Sequence, residues 1–169
     1  MTTTRTSLMS RVTRSAAVVL TGAGVLLTPA VAQANTGTPA APVAVAAPVA
    51  APNAAAQTAV DTALAQVGKP YVWGGAGPNS YDCSGLVQYA YAAAGVSVPH
   101  SSRMQSTLGT PVSVADLQPG DLVFFYSPVS HVGMYIGIGQ MVHASTYGKP
   151  VAVVDLAYMP DFNTARRIV

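Results

Sequence analysis

Glutamate is absent from the 169-residue chain, cysteine and tryptophan occur once each, and only 8% of residues carry a charge. With charges so scarce, there is no basic run or stripe on which nucleic-acid binding would rest. A lone cysteine excludes an internal disulfide and leaves a free thiol to be explained. Residues 1–56 hold no aromatic and no acidic residue, and every Phe, Tyr and Trp lies from Tyr71 onward. The packed core is therefore expected in the second part of the chain. A bilayer-spanning helix is missing too: the most apolar stretch, Ala16 to Leu27, falls well short of the roughly 20 residues such a span requires.

That stretch has a different explanation. Arg5, Arg11 and Arg14 form a positive start, Ala16 to Leu27 an apolar centre diluted by Thr21, Gly22 and Gly24, and Ala32-Gln33-Ala34 a small-residue cleavage site. Residues 1–34 thus read as a secretory signal removed before Asn35, without the adjacent arginines of a twin-arginine route. Removal takes three of the eight basic residues and leaves five against six Asp, so the formal charge passes from +2 to −1. The mature protein is nearly neutral, and bulk attraction to an anionic partner is not expected. After cleavage no stable membrane insertion is expected.

Residues 35–56 are an Ala/Pro-rich linker, with Pro39, Pro42, Pro48 and Pro52 holding it extended. Residues 57–169 are the domain. A first helix is predicted over Ala54 to Val67, with Val60, Ala63, Leu64 and Val67 on one stripe and Gly68 past its end. A second runs from Cys83 to just before Gly95, and a short one, capped by Ser101 or Ser102, reaches Leu108. Beyond the turn Gln118-Pro119-Gly120-Asp121 the pattern becomes that of a sheet. Strands are predicted over Leu122 to Tyr126, His131 to Ile136, Gln140 to Ser145, Val151 to Val154 and Ala165 to Val169. Short connections favour antiparallel neighbours. The fold class is α+β, N-terminal helices packed on an antiparallel sheet of about five strands.

The most informative stretch is YVWGGAGPNSYDCSG, Tyr71 to Gly85. Its glycines and proline break regular structure, and Asp82 is placed to cap the helix that follows. Cys83 then sits in the first turn, where unpaired N–H groups and the helix dipole favour a thiolate. Cysteines so placed have pKa values of roughly 3.5 to 7.5, against about 8.5 for a free thiol. The competing reading is a small buried hydrophobe.

A cysteine nucleophile needs a base within hydrogen-bond reach and a polar group to orient that base. The chain has three histidines. In the second strand His131 shares a face with Gly133 and Tyr135, opposite Val132, Met134 and Ile136. His143 lies in the next strand, and the Gly137-Ile138-Gly139 link allows both histidines onto one face. His100, beside Pro99, belongs to a loop or the cleft wall. Each strand histidine also has a purely structural reading. Zinc held by Cys83, His131 and His143 is a further alternative, but no C-x-x-C or closely spaced His pair accompanies it. No metal and no cofactor are expected.

The elements PYVWGG, DCSGLVQYAY, VPHSS, LQPGDLVFF, HVGMYIG, MVHAS and ARRI, in this order, resemble the NlpC family of bacterial cell-wall cysteine peptidases, with VPHSS similar to its actinobacterial branch. The resemblance covers about residues 57–169. It implies a papain-like fold with Cys83 as nucleophile, His131 as base and His143 orienting His131. It further implies that Tyr71 and the Cys83 N–H form the oxyanion hole, and that Asp82 and Ser84 contact the peptide. The implied protein is a secreted, wall-associated, monomeric endopeptidase cutting peptidoglycan stem peptides between D-isoglutamate and the diamino acid at position three. A catalytically idle wall-binding module and a thiol-dependent acyl or amide transferase are the alternatives.

Overall fold

The computed structural model describes residues 51–169, so the expected signal peptide (1–34) and most of the linker (35–56) lie outside the described residues. Within them, α1 (Ala54–Leu64), α2 (Cys83–Ala93) and α3 (Ser102–Gln105) precede a six-stranded sheet. Its strands are β1 (Thr110–Val112), β2 (Leu122–Phe125), β3 (His131–Gly137), β4 (Gln140–His143), β5 (Ala152–Asp155) and β6 (Phe162–Arg167). The spatial order is β1-β6-β2-β3-β4-β5, antiparallel at every pairing. Among the described residues no helix is long and apolar enough to cross a membrane.

The α+β plan matches the expectation, and the differences have physical causes. The sheet gains β1, whose Pro111 and mostly exposed residues hide it from pattern reading. Proline lacks the N–H a central strand needs, and the structure tolerates it here because β1 is an edge strand paired only with β6. The last strand begins three residues earlier than expected. It does not continue the meander but returns between β1 and β2. An ion pair with a buried carboxylate and a half-buried guanidinium fixes that return: Arg167 Nε and Nη2 donate to Asp121 at 2.8 and 2.7 Å, and Asp121 also accepts Gln118 N–H at 2.8 Å.

The two sheet faces bury different sets. Leu122, Phe124, Val132, Met134 and Val142 meet Ala59, Val60 and Ala63 of α1 and Leu86, Val87, Ala90 and Tyr91 of α2 in the main core. Val123, Phe125, Met141 and Ala165 form a smaller cluster on the other face. Truncating a core side chain such as Leu86 to Ala would cost about 2–5 kcal/mol. Tyr91 is anchored at its polar end, its hydroxyl donating to Gly120 O at 2.6 Å. This core pins α2 against β3, which sets the start of the helix beside the start of the strand.

Candidate active site

Cys83 opens α2 behind the N-cap Asp82, whose extended backbone precedes the first helical residue. The Asp82 carboxylate gathers this end of the site. Gly85 N–H donates to Oδ1 at 2.7 Å, Gly74 N–H to Oδ2 at 2.9 Å, and the Ser84 hydroxyl to Oδ1 at 3.1 Å. His100 Nε2 lies 2.9 Å from both oxygens. The glycine-rich loop thereby folds onto the helix start, and Asp82 N–H donates to Gly75 O at 2.8 Å. A side chain at position 85 would not fit: its Cβ would lie 2.0 Å from Gly75 O and 2.9 Å from His100 Nε2.

The histidine end is built by sheet register. Met134 faces Val142 and Tyr135 faces Met141, and continuing that register sets His143 opposite Gly133, one diagonal step from His131. His131 Nε2 and His143 Nδ1 are 2.9 Å apart, with ring planes at 75°. Both are buried, 8% and 5% exposed. Beside them Gly133 leaves room for Met141, whose Sδ would lie 2.6 Å from a Cβ placed there. With Nε2 engaged by His143, Nδ1 is the nitrogen His131 has left for chemistry.

One cleft of about 490 Å³ collects Tyr71, Asp82, Cys83, Ser84 and His131. His143 stands behind His131 and does not line it. The cleft also takes in His100, Ser101, Ser102, Arg103, Ser130, Ser145 and the exposed Trp73. Of these, sequence reasoning left His100 to a loop or the cleft wall, without its carboxylate partner, and missed Arg103 altogether. It missed Gln105 as well. Fully buried, Gln105 donates to Ser84 O at 3.0 Å and Pro99 O at 2.7 Å, bracing the first turn of α2 against the His100 segment. Among the described residues no group of three or more His, Cys, Asp or Glu stands at metal-binding geometry.

Residues 68–164 match the NlpC/P60 family. The chain belongs to that family. Among curated proteins it is 55% identical over 105 residues to a "probable endopeptidase" of Mycobacterium tuberculosis, covering 62% of this chain and 27% of that protein. A "probable endopeptidase" of Corynebacterium glutamicum is 48% identical over 107 residues, 63% of this chain and 51% of that one. The chain therefore spans between about a quarter and a half of these relatives. Among solved structures, the peptidoglycan hydrolase RipB of M. tuberculosis superposes with a TM-score of 0.63 at 33% identity, covering 68% of this chain and 65% of RipB. The papain-like α+β architecture expected from the sequence is the one found.

The electrostatics of this NlpC/P60 site correct one expectation. Burial pushes the Cys83 thiol up, and the Asp82 charge adds to the rise, while the backbone N–H groups of Val132, Ser84 and Cys83 oppose it. A helix start alone favours thiolate, but here water is largely excluded and the helix's positive end already faces a carboxylate. His131 is lowered to about 4, first by burial and then by His143, and burial lowers His143 as well. Burial, then the charges of Cys83 and Asp82, raise Tyr71, so its hydroxyl keeps the proton a donor needs.

Proposed function

We propose that the protein is an exported cysteine endopeptidase that cuts peptidoglycan stem peptides, at the bond between D-isoglutamate and the diamino acid. The observation that carries this reading is a single cleft holding Cys83 at a helix start together with His131, itself bonded to His143 at 2.9 Å. The names of the relatives, endopeptidases and a peptidoglycan hydrolase, supply the substrate class. Residues 1–34 act as the signal and the Ala/Pro-rich stretch from 35 as the linker, leading into a monomeric catalytic domain that works at the wall and opens with α1 at Ala54, three residues ahead of the expected boundary at 57.

In the proposed reaction Cys83 Sγ attacks the scissile carbonyl carbon while its proton passes to His131 Nδ1. The carbonyl electrons move to oxygen, where the Cys83 N–H and the Tyr71 hydroxyl receive the charge; one such donor contributes about 2.7–4 kcal/mol. The C–N bond breaks, and the amine leaves with the proton from His131. Water then gives a proton to His131 and adds to the thioester, and collapse releases the acid as the thiol regains its proton. His143 accepts the His131 Nε2 hydrogen throughout, which fixes the tautomer that presents Nδ1 as base and stabilises the imidazolium.

The test is digestion of purified sacculi with mass analysis of the soluble products. Peptides that begin with the diamino acid are expected in solution from the wild type, with D-isoglutamate left as the new carboxyl end on the glycan. Binding without release would favour an idle module, and products carrying a new amide would favour a transferase. Export is checked by intact mass from culture supernatant, where the chain is expected to begin at Asn35.

A further inference from the structure

Arg103 carries no assigned role. It sits on α3 between Ser102 and Met104, and its Nε donates to Val129 O at 3.2 Å. That bond joins α3 to the loop before β3, and Arg103, Val129, Ser130 and His131 line the same cleft. Neither Nη nitrogen has a hydrogen-bond partner among the described residues, and Arg103 forms no salt bridge. Arg103 is the only Lys or Arg lining the cleft and Asp82 its only acid. The Asp82 oxygens are already taken by His100, two backbone N–H groups and Ser84. The cleft therefore carries, at its exposed edge, a guanidinium tethered by one nitrogen, with the rest of its planar fork facing solvent and no free carboxylate in the lining to answer it.

The geometry points to Arg103 as a specificity-determining residue that reads a free carboxylate on the stem peptide beside the cleaved bond. This rests on the peptidase reading above, and names which stem peptides the site prefers. A tethered planar fork binds a carboxylate through two parallel hydrogen bonds and gains little from the neutral amide. Two sources offer that chemistry: the α-carboxylate of the isoglutamyl residue and the carboxylate of the diamino acid. Either is lost when the wall precursor is amidated, so amidation would protect a stem peptide from this protein.

Four soluble stem peptides decide it: both carboxylates free, each amidated singly, and both amidated. For wild type, kcat/KM is expected to be about 10- to 100-fold higher for the free acid than for the amide at one of the two positions, the scale of one charge-assisted contact. That ratio is expected to fall to near 1 in Arg103→Gln and to an intermediate value in Arg103→Lys. A ratio unchanged in Arg103→Gln, or a wild type indifferent to amidation, overturns the inference while leaving the peptidase reading intact. The same four peptides are titrated onto Cys83→Ala with and without Arg103→Gln. If wild type hydrolyses none of them but binding still discriminates acid from amide through Arg103, the peptidase reading fails and carboxylate recognition holds. Equal binding of acid and amide overturns it.

Discussion

At the cysteine end of the cleft one carboxylate receives two backbone N–H groups, a hydroxyl and an imidazole, and the segments it joins are loops and a helix start. At the histidine end a single N···N bond does the polar work, and register across β3 and β4 does the rest. The first arrangement is local and polar, so a small backbone shift breaks several bonds together. The second is distributed over the sheet core, and tolerates change as long as strand pairing holds. The two ends should therefore respond differently to equivalent substitutions.

The largest effect is expected at the reacting atoms. Cys83→Ala should unfold at the wild-type temperature and release no fragments from sacculi, and His131→Ala should lie near background in kcat/KM. Residual covalent turnover by Cys83→Ala would remove the nucleophile from this site.

Next come the two glycines. At Gly85 a methyl group would strike the Gly75 carbonyl at 2.0 Å, and backbone has no easy retreat. Gly85→Ala should lose about 1–3 kcal/mol of stability in denaturant melts, together with most activity. At Gly133 the obstacle is the Met141 sulfur, the end of a flexible side chain, so Gly133→Ala should lose about 1 kcal/mol or less. Equal losses would erase the contrast between the two ends.

His143 separates orientation from proton transfer. His143→Gln keeps a hydrogen-bond partner for His131 and should retain measurable kcat/KM. His143→Ala should fall further, within the roughly 10²- to 10⁴-fold that acid–base catalysis is worth. Should His131→Ala remain active while both His143 variants are dead, the roles are exchanged.

The smallest effect is on pH dependence. Because His131 is lowered to about 4, the acid limb of kcat/KM should fall near pH 4 to 5, well under the usual histidine value of about 6.5. Stability carries the same sign. Below about pH 6.5 the unfolded chain binds a proton that folded His131 refuses, so stability is full above that pH and is lost as pH falls towards 4. His131→Gln should flatten this part of the melting curve.

How much of this was legible differs between the same two ends. Asp82, Cys83 and Gly85 lie within four residues, so cap, nucleophile and helix start could be read together, and Gly95, with φ of +77°, ends α2 where expected. The histidine pair was legible as a face, because alternation along β3 and β4 needs only the strands. What could not be read were encounters across the fold: His100 reaching a carboxylate 18 positions away, Gln105 bracing Ser84, and β6 inserting beside β2. The Cys83 pKa was misjudged for a related reason. Burial is a property of the packed site, and the helix start was visible while the exclusion of water was not.

Trp73 is the chain's sole tryptophan and stands 77% exposed on the rim of the cleft. All indole emission therefore originates at the mouth of the site, none in the core. The protein carries its own optical probe of occupancy: a ligand that covers the rim shifts the emission to the blue, whereas a rearrangement confined to the core leaves it unchanged.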